Sequence, residues 1–380
     1  MPAKALWLKC IAAPFRAAAI NKKSHANASI IMLKIPYLPF KINSQSSNSI
    51  HIYCKFYSGK GTPMKILGVS LGTKNGNNDT MCRVALEAAK NEGAEIEFIH
   101  LMDWNIEHCT GCCACSVGLV TGKGNICTRK DDFKAFWDKV YESDGILFVD
   151  PIFESGSSGL FKTIADRVGP GHDLSMNIVG DKLSKEKGGP GVDPRVFRKR
   201  ATSYIGIGGS DWFCRVYTDH AMVSMSPAWP VIDNEIFGWS KDIIMHDDAI
   251  ARCQEIGRNL VHAAQDLLDG KEAKWMGKKG ICTHCNGNNF YIEPGTNKAI
   301  CELCGLEGEM VSEGGVIKFV FPPEDEHKAH DTESGKFLHA DDIMENEGRL
   351  MDLKKDPEFK ARKKYYTDVI APTPAPGKAK

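Results

Sequence analysis

Between residues 64 and 270, short apolar segments alternate with amphipathic segments, and this alternation constrains the fold more than any other feature. Apolar strands are predicted at 65–70, 94–101, 145–149 and 204–208, with a fifth between 231 and 239. Strands buried on both faces, each followed by a helix, are typical of a parallel sheet covered on both sides. The sequence therefore predicts an α/β fold with a doubly wound parallel sheet.

The helices are predicted from apolar residues spaced three and four positions apart. Phe133, Phe136, Trp137 and Val140 share one face of a helix that starts at Asp131–Asp132. Further helices are predicted over 79–91, up to 168 and over 247–270. Residues 169–199 are rich in Gly, Pro and Lys, and are predicted to form an inserted loop.

Charge and composition divide the chain into four parts. Residues 1–63 contain nine Lys or Arg and no Asp or Glu, which suits either a transit-like leader or a start assigned too early. We favour the second interpretation, because Met64 directly precedes a predicted strand. The sheet domain covers 64–270, a cysteine-rich module 271–321, and a charged tail 322–380.

The overall composition excludes several classes of protein. The 48 basic and 48 acidic residues balance, which argues against a polycation that binds nucleic acid or a membrane surface. No run approaches 18 apolar residues, so no transmembrane helix is expected.

Nine of the 14 cysteines fall in two groups built on C-x-x-C steps. That clustering favours metal or redox work in a reducing compartment, and we expect a cytoplasmic protein.

The second cysteine group is the most specific local motif. Cys282, Cys285, Cys301 and Cys304 have the paired C-x-x-C spacing of a four-cysteine zinc ribbon. Four thiolates suit structural zinc, with no open position for catalysis. His284 is expected to be exposed and not a ligand. The surrounding glutamates disfavour contacts with nucleic acid, so a zinc-dependent nucleic-acid module is the weaker interpretation.

The loop after the first strand has the composition of a phosphate site. Polar groups ahead of a helix N-terminus can hold a phosphate dianion, and here they are Ser70, Thr73, Asn75, Asn78 and Thr80. An ordinary strand-to-helix turn also uses such residues, so the loop alone leaves both interpretations open. The chain lacks the motifs of P-loop and dinucleotide-binding Rossmann proteins.

Several motifs occur together and in a fixed order. They are Met64–Ser70 with its Asn-rich loop, the C-x-G-C-x-x-C run followed by Lys130–Asp132, Pro151–Phe153, Ser158–Lys162, and Ala165–Arg167. In this respect the segment from about 64 to 210 resembles the NADPH-dependent FMN reductase and iron–sulfur flavoprotein family. The resemblance implies a flavodoxin-like fold that binds FMN and passes electrons from NAD(P)H, as co-substrate, to a small-molecule or protein acceptor.

The resemblance also implies roles for particular residues. The loop from Ser70 to Thr80 would hold the FMN phosphate. The isoalloxazine ring would be bordered by Pro151, Ile152, Phe153 and Glu154, with Gly208, Gly209 and Ser210 over its other edge. Thr73-Lys74 replaces a Pro-Arg pair common in the family, and Glu154 replaces a neutral residue.

The first cysteine group leaves more than one interpretation open. Three thiolates at C-x-x-C-x-x-C spacing with a distant fourth suit a [4Fe–4S] cluster, and the candidates are Cys109, Cys112, Cys115 and Cys127. The gap before Cys127 is longer than in the iron–sulfur flavoproteins that this run resembles, and its glycines would make it flexible. Redox-active or structural thiols, or zinc, are the alternatives.

These features together predict an FMN-dependent NAD(P)H oxidoreductase with a C-terminal zinc ribbon. The alternative is a non-enzymatic flavin or iron–sulfur electron carrier, or a partner-binding protein. The protein is expected to form a homo-oligomer and to bind neither nucleic acid nor a membrane. Trp212, Trp229 and Trp239 are expected in the core or a dimer interface, or else as a substrate wall over the flavin.

Overall fold

A computed structural model describes residues 63–125 and 127–376. The predicted N-terminal extension, up to residue 62, lies outside the described residues. Five parallel strands form the main sheet: β1 (Lys65–Ser70), β2 (Glu95–His100), β3 (Gly145–Pro151), β4 (Ala201–Ile207) and β5 (Val231–Phe237). Their order is β2-β1-β3-β4-β5, which confirms the predicted doubly wound sheet.

Helices cover both faces of this sheet. They are α1 (Asn77–Asn91), α2 (Ala114–Val120), α3 (Phe133–Glu142), α4 (Gly159–His172), α5 (Leu174–Glu186), α6 (Val216–Met225) and α7 (Asp247–Leu268). Helices α1 and α7 pack on one face, and α3, α4 and α6 on the other. Strand residues alternate between the two cores, as Leu147 and Phe148 do on β3. Both faces are buried because the crossover helices must cover them.

The prediction of a loop over 169–199 was wrong, because this segment contains helix α5. Asp173 caps the helix by accepting a hydrogen bond from the Met176 amide at 3.2 Å. Most of the glycines that obscured the pattern lie just before or after the helix. Helix α5 packs against the C-terminal tail, where Lys336 donates to Asp173 at 3.1 Å and both residues are buried.

The cysteine-rich segment forms a second, antiparallel sheet. Its strands are β6 (Phe290–Ile292), β7 (Lys298–Cys301), β8 (Glu307–Glu313) and β9 (Val316–Val320), paired in chain order. The charged tail contains two helices, α8 (Glu333–Leu353) and α9 (Pro357–Val369). Among the described residues, no helix is both long and apolar enough to cross a bilayer.

Candidate functional site

Three loops meet at the carboxyl edge of the main sheet. They follow the neighbouring strands β1, β3 and β4, and the order of the sheet reverses between β1 and β3. The amide of Leu71 donates to Val149 O at 3.0 Å, and that of Ile152 to Ile207 O at 3.0 Å. Ligands of doubly wound sheets bind in the crevice at this reversal point. The fold therefore brings the three predicted flavin segments to one edge.

The first loop presents unsatisfied polar atoms. Within the described chain, the Ser70 Oγ and the Asn78 Nδ2 are buried with no partner at hydrogen-bond distance. The buried Asp79 carboxylate lies near Ser70: burial raises the pKa of Asp79, but the interactions with the Ser70 hydroxyl and the Asn75 amide hold it below its usual range. Helix α1 begins beside them with no side-chain cap, so its first amides stay open. A Cβ at position 72 would lie 2.5 Å from the Asn78 side chain, so Gly72 keeps the loop tight around it. Buried donors at a helix N-terminus fit an anionic phosphate.

Other predicted residues of this loop have internal roles. The Thr80 hydroxyl donates to the Gly76 carbonyl at 3.0 Å, so it belongs to the helix rather than to the crevice. Thr73 and Asn75 are exposed, and the Asn75 amide donates to the buried Asp79 at 2.7 Å. Lys74 forms an exposed ion pair with Asp103 at 3.2 Å.

The second loop has an unusual backbone. Pro151 ends β3, Ile152 is half-buried, and Phe153 and Glu154 are exposed. Glu154 has φ +47° and Ser155 φ +63°, a region that residues with side chains rarely adopt. Reciprocal hydrogen bonds between Phe153 and Gly156, at 3.0 and 3.1 Å, close the turn. The Glu154 carboxylate thus lies on a solvent-exposed tip of this loop.

The third loop completes the edge. Gly208 is buried, and a Cβ there would lie 3.2 Å from Ile152, while Gly209 and Ser210 are exposed. Trp212 and Trp239 lie on the loops after β4 and β5 and are 62% and 68% exposed, so the expectation of core packing fails for both within this chain. Trp229 is buried and stacks on Trp137, as a core residue should.

Sequence reasoning missed a buried polar network below the second loop. Asp150 accepts hydrogen bonds from the Ser158 hydroxyl and amide, at 2.5 and 2.8 Å. The His220 Nε2 lies 3.5 Å from the same carboxylate, and both side chains are fully buried. An acid at the end of an apolar strand was the available signal for Asp150. His220 is 70 residues away in sequence, and no spacing rule joins the two.

The first cysteine group lines a cavity of about 660 Å³ but does not form a ligand set. Among the described residues, the sulfurs of Cys109, Cys112, Cys115 and Cys127 do not converge as a metal site would require. Residues 114–120 form helix α2, so the predicted flexible excursion starts with a rigid element. Arg167 donates to Cys127 at 3.4 Å, and a hydrogen bond with Thr128 lowers the pKa of Cys112.

The second cysteine group does converge. The sulfurs of Cys282, Cys285, Cys301 and Cys304 lie within 4.8 Å of one another. Two of the separations are 3.8 Å (Cys282 to Cys304) and 3.5 Å (Cys285 to Cys301). A tetrahedral zinc ion with Zn–S bonds of 2.3 Å separates its sulfurs by about 3.8 Å. The residues therefore fit one metal ion, which would also neutralise the repulsion between neighbouring thiolates.

His284 lies between Cys282 and Cys285, in the first C-x-x-C step (the first knuckle), and is not one of the four converging residues, although it is less exposed than expected. Its ring contacts Asp331 at 2.8 Å and Glu326 at 3.0 Å. The hydrogen bond with Asp331 raises the pKa of His284 to about 9 against the effect of burial. The histidine therefore links the knuckle to the start of the tail.

The chain is similar to a known family and to two relatives over most of their length. Residues 64–226 match the family described as NADPH-dependent FMN reductase. A flavone synthase from Aspergillus candidus is 28% identical over 312 residues, which are 77% of this chain and 94% of the relative. An iron–sulfur flavoprotein from Archaeoglobus fulgidus is 34% identical over 223 residues, 55% of this chain and 100% of the relative.

One solved structure is similar to nearly the whole described chain. It is a flavone reductase with 44% sequence identity and a TM-score of 0.73, and the match covers 82% of this chain and 100% of that protein. This coverage is greater than the sheet domain alone provides. The similarity therefore includes segments outside 64–270.

Proposed function

Since this chain belongs to the family of NADPH-dependent FMN reductases and iron–sulfur flavoproteins, we propose that it is an FMN-dependent oxidoreductase that takes electrons from NAD(P)H. One observation carries the proposal. Ser70 Oγ and Asn78 Nδ2 are buried and unpartnered below an open helix N-terminus, at the reversal point of the sheet. FMN, when bound, supplies hydride transfer at its flavin ring.

The residues of the chain bind and orient in this proposal. Ser70, Asn78 and the first amides of α1 hold the phosphate. Lys74, which forms an exposed ion pair with Asp103, is not assigned a contact with it. The loop 151–158 borders the ring, and the Gly208 loop closes its other edge. Gly209 and Ser210 leave that edge free of large side chains, so a planar molecule can approach it.

We propose that the acceptor is a planar aromatic enone of the flavone type. The flavone synthase and the flavone reductase support this by name. Phe153, Trp212 and Trp239 also support it, because each is exposed by more than half on loops at the same sheet edge. Aromatic faces stack on planar ligands. NAD(P)H would supply the hydride and solvent the proton that together saturate one carbon–carbon double bond.

Anaerobic turnover tests this function. The purified FMN-loaded protein is mixed with NADPH or NADH and a flavone, and the products are separated by chromatography and mass spectrometry. We expect stoichiometric oxidation of the nicotinamide and a product that carries two additional hydrogens. Nicotinamide oxidation with ferricyanide but not with any flavone would refute the acceptor and leave the reductase in place. No oxidation with either would refute the enzyme.

An electron carrier is the second candidate. The observation in its favour is the cavity lined by the thiols of Cys109, Cys112, Cys115 and Cys127.

Zinc at the second cysteine group, Cys282 to Cys304, is also a proposal, supported by the fit of the sulfur separations to a zinc ion. Analysis of anaerobically purified protein for iron, sulfide and zinc separates these assignments: iron and sulfide favour a cluster in the cavity, and their absence favours free thiols.

A further inference from the structure

The cysteine-rich module 271–321, called the four-cysteine module from here on, shares one hydrophobic cluster with the sheet domain. Ala221 and Met225 of α6 pack in that cluster with three of the four cysteines and with Leu306 and Phe319. These cysteines are Cys282, Cys301 and Cys304, which are fully buried. Helix α6 therefore lies against the metal-binding core as well as against the sheet.

Asn289 is a polar connection across the same boundary. Its side-chain amide donates to the Cys214 carbonyl at 3.0 Å, and its Oδ1 accepts from the Thr218 hydroxyl at 3.0 Å. Its own carbonyl accepts from the amide of Glu302, the residue after the ligand Cys301. Asn289 thus joins the second C-x-x-C step, Cys301 to Cys304, to the segment that leads into α6 and to the first turn of that helix.

Helix α6 in turn holds the loop that follows β3. Asp219 accepts a hydrogen bond from the Ser157 amide at 2.9 Å. His220, the next residue, lies 3.5 Å from Asp150, which binds Ser158. The Ser157 end of the loop is therefore hydrogen-bonded to α6, and the next residue of the helix packs beside the carboxylate that holds Ser158.

This loop needs external support because its backbone is strained. Glu154 and Ser155 both have positive φ values, and such conformations persist only where the surrounding structure enforces them. We infer that the four-cysteine module is a positioning element for loop 151–158, acting through Asn289 and helix α6. The expected effect on the flavin rests on the proposed function, whereas the effect on the loop does not.

The first experiment compares FMN binding in matched variants. Asn289→Ala removes both hydrogen bonds, and Thr218→Val removes one while leaving the module untouched. Two neutral hydrogen bonds together correspond to about a tenfold change in an equilibrium constant. We expect Asn289→Ala to raise the Kd of FMN roughly tenfold and to shift the visible flavin spectrum, with metal content unchanged. Thr218→Val should have a smaller effect, and Thr218→Ser should restore normal binding.

The control is Asn297→Ala, which removes an exposed hydrogen bond to Glu309 within the same module. It should leave both metal and FMN binding unchanged. If the unaltered protein binds FMN, and Asn289→Ala and Thr218→Val retain metal and bind FMN with the same Kd, the inference is wrong. If Asn289→Ala loses its metal, the Kd of FMN for Thr218→Val decides the question. A raised Kd supports the inference, and an unchanged Kd overturns it.

The second experiment needs no flavin. Hydrogen exchange of the FMN-free full chain reports on the Ser157 amide, which should exchange faster in Asn289→Ala than in Asn297→Ala. Equal exchange in the two variants would overturn the inference. Faster exchange in a protein that binds no FMN would support the positioning role and refute the proposed function, so the two failures are distinguishable.

Discussion

Ser70 and Asn78 present buried polar atoms without partners, and such atoms are costly unless a ligand satisfies them. The sequence identified both residues because hydroxyls and amides at the end of a strand suit a phosphate. The sequence could not distinguish these two residues from Thr80, whose hydroxyl donates a hydrogen bond to the Gly76 carbonyl. Composition gives the polar groups of a loop, but only the backbone path decides which of them face the crevice.

The first prediction concerns these two residues. Replacing Ser70 and Asn78 with Ala removes hydrogen bonds to a charged group, each worth about 1.5–3 kcal/mol. The double variant should bind FMN at least tenfold more weakly in a fluorescence titration. Thr80→Val is the control, and its Kd for FMN should not change. Equal affinities for the double variant and the unaltered protein would remove the phosphate from this loop.

The second prediction concerns His172, which packs among Phe133, Trp137 and Tyr141 and contacts the Tyr141 hydroxyl at 2.7 Å. Burial lowers the pKa of His172 to about 3, so it stays neutral in the folded protein. The unfolded chain takes up a proton below its pKa of about 6.5. The free energy of unfolding should therefore fall as pH decreases from about 6.5 towards 3, by at most about 1.4 kcal/mol per unit from this group.

A comparison with His172→Gln isolates this effect. Glutamine can still bond the Tyr141 hydroxyl but does not titrate. Urea unfolding at several pH values should show a shallower acid slope for the variant. Parallel slopes for the two proteins would mean that His172 is protonated in the fold.

At the scale of elements, periodicity located the strands and helices of the sheet domain, because a parallel sheet with two covered faces demands long apolar patterns. The sequence pattern did not predict helix α5, because this helix is stabilised by a cap and a buried ion pair rather than by an apolar stripe. Helix α2 was not predicted because its seven residues make too few turns for a helical period to be recognised. Both helices depend on tertiary contacts that a local pattern does not contain.

The third prediction tests the ion pair beneath α5. Asp173→Asn leaves the Lys336 ammonium buried without its carboxylate, and breaking a buried pair in this way costs about 3–5 kcal/mol. The free energy of unfolding should fall by that amount in denaturant titrations. Adding Lys336→Met to the variant removes the stranded charge and should recover most of the loss. A double variant no more stable than Asp173→Asn would show that the charge is not the cause.

At the scale of the whole molecule, sequence spacing identified the four cysteines that converge but not how their module joins the sheet domain. The shared cluster with Ala221 and Met225 arises from residues far apart in sequence. The same limit applies to the first cysteine group, whose spacing suits a cluster although its sulfurs do not converge. Spacing specifies which residues can act together, whereas the path of the chain decides which of them meet.

The fourth prediction separates the two cysteine groups. Zinc–thiolate sites contribute on the order of 10 kcal/mol to folding in small peptides. Cys301→Ala should therefore release the metal and lower the melting temperature, whereas Cys112→Ala should retain the metal. Elemental analysis of both purified variants provides the measurement. Metal bound to Cys301→Ala in full amount would contradict the assigned ligand set.

We propose that the loop after β1 holds the phosphate of FMN. Calorimetric titration of the flavin-free protein with FMN and with riboflavin, which lacks the phosphate, tests it most directly. Charged hydrogen bonds from Ser70, Asn78 and the helix N-terminus should make FMN bind on the order of 100-fold more tightly than riboflavin. Equal affinities for the two flavins, or no binding of FMN, would show that this loop does not hold the phosphate.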